Sequence, residues 1–215
     1  MPLAGLLPVQ LRFASGNTSE DYVTRQAWLS ASLLCCPLHP KGGCGFARHG
    51  TYRRVTPAGT LIPRWYCPQG HCTFSLLPDH LAARFPGTLD EIERVVDTVD
   101  QAKSLEAAAD LLRPDCVSLI SAVRWTRRRV TLVRTVFTLL AGMFPGIFQG
   151  SALTVADFRL RLDCITVLAQ ARHLAHDTLS TLPRPLGFVP PRPEGGGRKI
   201  RFQQRMGTDP PAFAG

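Results

Sequence analysis

The chain has 215 residues, enough for one ordinary domain or two small ones, and its 45% hydrophobic content can build a core. No run approaches the roughly 20 uninterrupted apolar residues of a membrane span, and MPLAGLLPVQLRF lacks the basic region ahead of a long apolar stretch that an export signal needs, so the sequence predicts an intracellular protein without a membrane partner. A net charge of +9 makes a polyanion the natural partner.

The charge comes in blocks. Between Asp21 and Asp79 there is no acid but six basic residues, Arg25, Lys41, Arg48, Arg53, Arg54 and Arg64. Residues 86–115 reverse the sign with eight acids, and 116–156 carry only Arg124, Arg127, Arg128, Arg129 and Arg134. The pattern predicts two basic surfaces separated by an acidic, solvated face. Arginine outnumbers lysine 22 to 3, which suits the recognition of phosphate and guanine by planar forks.

In chain order, residues 1–16 read as an irregular lead-in. Asn17, Thr18 and Ser19 are placed to cap a helix running to about Leu34, with Glu20 and Asp21 in its first turn. From Cys35 to about Ser75, glycines, prolines and short β-leaning runs (Thr51 to Val55, Thr60 to Cys67) predict small hairpins turned at Pro57, Ala58 and Gly59. After Pro78 the texture becomes helical. LPDHLAARF is short; Thr88 caps LDEIERVVDTVDQAK; Ser104 starts SLEAAADLL; a long segment runs from Val117 to about Met143; and Leu153 to Leu182 is a further helical stretch. From Pro183 onward, proline, glycine and basic residues predict a disordered tail. The expected architecture is thus mainly α with a small β zinc ribbon, divided into a lead-in and helix (1–34), a zinc-ribbon-like domain (35–77), a helix-turn-helix-like helical domain (78–150), an additional helix (151–182) and a basic tail (183–215).

Five of the seven cysteines (Cys35, Cys36, Cys44, Cys67, Cys72) fall within 38 residues, whereas Cys116 and Cys164 sit alone in apolar helical contexts and read as core. An odd count and no export signal argue against a disulfide scaffold. Cys36-Pro opens the first half of the cluster and Cys44-Gly closes it; Cys67-Pro opens the second, closed by His71 or Cys72. Four thiolate or imidazole ligands on tight turns at hairpin ends suit tetrahedral Zn²⁺. Cys36 and Cys44 are eight apart rather than three, and His39, three after Cys36, is the alternative in the first half. A catalytic zinc wants a neighbouring carboxylate base, and this region has no acid, so the metal is expected to be structural. Cys35, adjacent to Cys36, points elsewhere.

SLEAAADLLRPDCVSLISAVRWTRRRVTLVRTVFTLLAG has the form of a helix-turn-helix, broken at Arg113, Pro114 and Asp115. Leu119, Val123, Val130, Val133, Phe137 and Leu140 make an apolar stripe, with Arg124, Arg127, Arg128 and Arg134 on the adjoining face.

CGFARHGTYRR, followed by RWYCP and TFSLLPDHLA, resembles the N-terminal zinc-binding segment of bacterial insertion-sequence transposases and of related uncharacterised transposon-associated proteins; the helices through RWTRRR look like the helix-turn-helix that follows in them. The resemblance covers about residues 33–145. It implies DNA binding at transposon ends, with Cys36, Cys44, Cys67 and His71 or Cys72 as zinc ligands. The chain departs from that pattern in the extra residues Pro37 to Gly43 and in having Gly70 where a cysteine is expected. Asp157 and Asp163 lie in a helical stretch with no strand framework to converge them on metal ions, so no nuclease centre is expected.

The reading that results is a non-enzymatic, zinc-stabilised DNA-binding protein of a bacterial mobile element, cytoplasmic and nucleoid-associated, with no small-molecule substrate. Its DNA contacts would be Arg48, His49, Arg53, Arg54 and Arg64 from the ribbon and Arg124, Arg127 and Arg128 from the helix, with added sequence-independent affinity from the tail. The alternatives are an accessory or assembly protein that binds a partner transposase or itself, and a truncated transposase remnant.

Overall fold

The computed structural model describes residues 9–114 and 118–188. Cys116 and all of the predicted tail beyond Phe188 lie outside the described residues.

Two β-rich runs pair as antiparallel strands, β2 (Ala47–Arg53) and β3 (Leu61–Cys67), and β3 continues through a tight turn into β4 (Cys72–Pro78). The fourth strand comes from the predicted lead-in: β1 (Val9–Phe13) lies parallel to β4, from Val9 beside Phe74 to Phe13 beside Pro78, giving the order β1-β4-β3-β2. Its apolar alternation, Val9, Leu11 and Phe13, is too short to read as a strand until β4 offers an edge. Because side chains alternate across a strand, the sheet sorts its residues onto two faces. Trp65, Cys67, Phe74 and Leu76 bury on one side with Cys36 and Cys44, while Ile62 and Leu77 join the helical core on the other.

The predicted helix from Asn17 to Leu34 is much shorter. Thr18 caps it by accepting from Asp21 N, but α1 spans only Ser19–Thr24; Gln26 then takes a left-handed φ of 51° and only a 3₁₀ turn, Ala27–Leu29, follows. LPDHLAARF is not helical either. It forms the bend between sheet and helices, closed by a bridge between Leu81 and Thr88. Thr88 and Glu91 then form a reciprocal capping box for α2 (Leu89–Gln101), and Ser104 caps α3 (Leu105–Leu112). The long α4 (Leu119–Met143) buries Val130, Val133, Val136, Phe137 and Leu140. A single turn, α5 (Pro145–Phe148), follows, and the predicted helical stretch from Leu153 to Leu182 divides into α6 (Val155–Leu162) and α7 (Val167–Leu174) because Asp163 adopts a left-handed φ of 46°. Phe158 of α6 stacks on Phe137 (3.9 Å between centroids) and on Phe148 (4.3 Å), tying α4, α5 and α6 together.

The acids of α2 were expected to form a solvated face; two of them are buried instead. Glu93, 5% exposed, accepts from Leu168 N (2.9 Å) at the start of α7 and from Arg159 (3.2 Å). Asp100 accepts from Val155 N (3.2 Å) at the start of α6 and from Arg134 (2.8 Å). Each carboxylate satisfies an orphan amide at a helix N-terminus where the dipole also favours negative charge. The predicted tail is likewise corrected at its root. Leu182, Leu186 and Phe188 are buried in the helical core, held there by Arg172, which is 1% exposed and donates to the carbonyls of Asp79, Leu81, Pro185 and Leu186.

Between sheet and helices, His80 packs edge-on against Tyr22 (5.3 Å), with both of its ring nitrogens buried. Burial, and then the Arg54 and Arg172 charges, pull its pKa from 6.5 down to about 4. Between those values the unfolded chain takes up a proton that the folded chain refuses, so stability is full above the unfolded pKa and declines as pH falls through the window. His80→Leu is expected to remove about 2 kcal/mol of acid destabilisation between pH 7 and pH 4.5. Urea midpoints of both proteins at the two pH values check this. Taking the difference between the proteins cancels the acid sensitivity of all other groups, and equal losses in both would rule His80 out.

Candidate metal centre

The first part of the site is a loop that reverses twice. His39 N bonds to Cys36 O (3.1 Å) and Gly42 N to His39 O (2.9 Å), and the chain reaches Cys44 between Gly43 (φ 81°) and Gly45 (φ 68°). Both glycines hold left-handed conformations that a Cβ would strain, which lets Cys44 turn inward between two reversals. The second part is the β3–β4 turn. Cys67 ends β3, and the amide of Gly70 donates to its sulfur (3.2 Å), as backbone amides do toward a thiolate that carries negative charge.

These elements bring Cys36, His39, Cys44 and Cys67 together with all four donor atoms within 4.8 Å of one another, close enough to hold a metal ion. His39 Nδ1 stands 3.6 Å from Cys36 Sγ and 3.4 Å from Cys67 Sγ. A tetrahedral zinc with metal–sulfur bonds of about 2.3 Å and metal–nitrogen bonds of about 2.1 Å sets that sulfur-to-nitrogen edge at about 3.6 Å, so the cage is compatible with zinc. Three soft sulfurs and one imidazole, with no carboxylate among them, are the donor set of closed structural sites.

The thiols are tuned unequally. Burial opposes ionisation at Cys36, but the His39 ring and the amides of Leu38 and His39 outweigh it and bring the thiol down to about 7, whereas burial pushes Cys44 up. A cation at the centre would ionise all three.

His39, the alternative to Cys44 in the first half, occupies the cage together with Cys44. The two candidates for closing the second half stand apart. His71 is exposed in a left-handed conformation (φ 46°), with its ring against the Tyr66 hydroxyl (3.5 Å). Cys72 lies opposite Cys67 in the hairpin, its sulfur turned to the Thr73 carbonyl (3.9 Å) and its pKa raised by burial and then by Cys67. The signal for His39 is the Cys-Pro-x-His spacing, which presents both ligands on one tight turn; what that spacing leaves open is that the chain places Cys44 there too. Gly70 explains why. A Cβ built on Gly70 would lie 3.3 Å from Cys67 Sγ and 3.7 Å from His39 Cε1, so a cysteine at 70 would reach the cage, and Cys44 supplies the thiolate that this glycine omits.

The basic candidates divide into two groups. Arg48 donates to the carbonyls of Trp28 (2.7 Å) and Leu29 (3.3 Å) and lies over Trp65; Arg54 donates to those of Ala82 (3.2 Å) and Phe85 (2.6 Å), and burial lowers its pKa; Arg64 lies over Tyr52 and donates to Thr51 O (3.5 Å). All three brace the sheet. Arg53 and His49 are exposed on β2, His49 beside Tyr66, and Arg124, Arg127 and Arg128 are exposed along α4. Comparison with models of known protein families, with curated proteins and with solved structures finds no match, so the side chains themselves carry the functional argument.

Proposed function

We propose that this chain is a zinc-stabilised DNA-binding protein of mobile-element origin, with no catalytic machinery of its own, in which Cys36, His39, Cys44 and Cys67 hold the metal and α4 meets the phosphate backbone. The observation that carries this reading is the outer face of α4. Arg124, Arg127 and Arg128 project from it together with Ser121 and Thr131, and none of the three arginines has an ion-pair partner among the described residues. Other arginines of the helices are neutralised, Arg134 by Asp100, Arg159 by Glu93 and Asp97, and Arg161 by Asp157. An unpaired row about one turn apart on a rigid helix is spaced to follow one strand of phosphates. With α2 and α3 packed behind it, α4 would serve as the recognition helix of a helix-turn-helix. Zinc in this reading supplies folding free energy rather than chemistry.

The test is the salt dependence of binding to a short duplex of arbitrary sequence. The slope of log affinity against log salt is expected to fall by about 0.9 for each of Arg124→Gln and Arg127→Gln, and affinity at low salt by several-fold. An unchanged slope in the double variant sinks the assignment of α4. The second reading, docking on a partner transposase or another copy, is favoured by Leu160 (81% exposed) and Ile165 (88%) at the α6–α7 turn. Association through these would tolerate or gain from added salt, which separates the two readings.

A further inference from the structure

Five arginines from four acid-free stretches of sequence, residues 22–78, 80–89, 116–156 and 178–193, lie at or next to Phe85, whose ring faces Arg128, Arg129 and Arg184. Three of them have structural work. Arg54 donates to the Phe85 carbonyl (2.6 Å), Arg84 to the Phe188 carbonyl (2.9 Å), and Arg129 stacks on Trp125 at 3.6 Å while donating to its carbonyl. The other two, Arg128 of α4 and Arg184 of the segment after α7, lie 5.4 and 6.0 Å from the Phe85 centroid and have no carboxylate partner among the described residues.

Like charges held this near one another need a reason. Burial lowers the pKa of Arg184 and the Arg128 charge lowers it further, so the pair costs free energy as it stands. Nor is Arg184 free to swing away at its backbone. The next carbonyl, of Pro185, accepts from Ala83 N (2.7 Å) and from buried Arg172 (2.7 Å), and Leu182 and Leu186 on either side are buried. The fold therefore fixes a second cation beside the α4 row.

We propose that Arg128 and Arg184, backed by the Phe85 ring, form a binding site for one phosphate group. Two guanidinium forks from separate elements, both against the Phe85 ring, offer the planar, multi-donor groups that phosphate oxygens accept, and a phosphate bound by both would convert their repulsion into attraction. The phosphate is either one of a nucleic-acid backbone, in which case the site extends the α4 row and rests on the DNA-binding reading, or a free one. No sequence pattern marks Arg184; it joins the site because the segment after α7 folds back onto the bend before α2.

Two titrations of the full-length, zinc-loaded protein test this: inorganic phosphate followed by the NMR signals of the arginine Nε–H groups, and a duplex of arbitrary sequence followed by anisotropy at several salt concentrations. Wild type is expected to show a saturable phosphate response that Arg184→Gln abolishes, and Arg184→Gln and Arg128→Gln are each expected to lower DNA affinity about 3- to 10-fold at low salt and the salt slope by about one. Wild-type DNA binding with unchanged slopes in both variants and no phosphate response overturns the site, takes Arg128 out of the α4 row and leaves the α4 reading on Arg124 and Arg127. Phosphate binding lost in Arg184→Gln, without DNA binding by wild type, upholds the site for free phosphate and overturns the DNA reading; no response to either probe overturns both. Without ligand at low salt, Arg184→Gln is expected to melt at or above the wild-type temperature because a repulsion is removed. A large drop in melting temperature would mark Arg184 as a structural residue and count against the site.

Discussion

Removing the metal is expected to unfold the sheet end of the molecule. The core on that side has eight buried residues, Ala31, Cys36, Cys44, Trp65, Cys67, Cys72, Phe74 and Leu76, of which four are cysteines, and the loop that carries Cys36, His39 and Cys44 has no strand or helix of its own beyond one isolated bridge. So small an apolar cluster cannot offset the ordering of the loop, while a structural zinc contributes on the order of 10 kcal/mol of binding free energy that is also folding free energy. Chelation at neutral pH is expected to abolish the near-ultraviolet signal of Trp65, with a smaller change in helix content, because the helical core is separate and larger. Elemental analysis should find about one zinc per chain in wild type, His71→Ala and Cys72→Ser, and a loss of most of it in Cys36→Ser, His39→Ala, Cys44→Ser and Cys67→Ser. The most discriminating protein is a double variant: adding Gly70→Cys to Cys44→Ser should restore metal, since that Cβ stands beside Cys67 Sγ and its closest clash, 2.6 Å, is with the movable tip of Leu38. Zinc retained without His39 but lost without His71 or Cys72 would move the fourth ligand to the hairpin turn and refute the cage.

The second large effect is expected at Arg172. Arg172→Leu would keep most of the apolar contact but leave the carbonyls of Leu81 and Leu186 buried, and that of Asp79 half-buried, with no other partner among the described residues. At roughly 1–3 kcal/mol for each unsatisfied buried group, the loss is expected to be about 3 kcal/mol or more in a urea titration. Burial already brings the Arg172 pKa down to about 9, so its charge is carried at a cost that only these bonds offset. The same substitution should loosen Leu186 and with it the position of Arg184, weakening phosphate binding along with stability. A variant of wild-type stability would show that the carbonyls find other donors and that the clasp is dispensable.

How much of this was legible beforehand depends on the distance over which each feature is decided. The caps were legible because they are local: Thr18, Thr88 and Ser104 each accept from an amide three residues on, and residue type and spacing suffice to see it. The β2–β3 hairpin was legible for the same reason, although β2 begins four residues before the predicted run Thr51 to Val55, as was the crowding of cysteines around Cys36, Cys44 and Cys67; the apolar stripe of α4 holds from Val130 to Leu140, whereas Leu119 is 46% exposed. Local reading overran where one residue broke a good pattern. Gln26 and Asp163 take left-handed conformations that periodicity does not register, and two predicted helices were cut short there.

By itself, then, the sequence determined the helices from Thr88 to Met143, the central hairpin, the basic face of α4 and the crowding of soft donors that could hold a metal, because each depends on contacts between near neighbours in the chain. Tertiary structure decided the rest. It made a strand of Val9–Phe13 by pairing it with β4, turned Glu93 and Asp100 from surface charges into caps for distant helices, and spent Arg48 and Arg54 on carbonyls of other segments. It also chose His39 and Cys44 over His71 and Cys72. Spacing says only which donors can reach a common point, whereas the direction in which each side chain leaves the backbone, set by the two glycine reversals at Cys44 and the left-handed turn at His71, says which donors do.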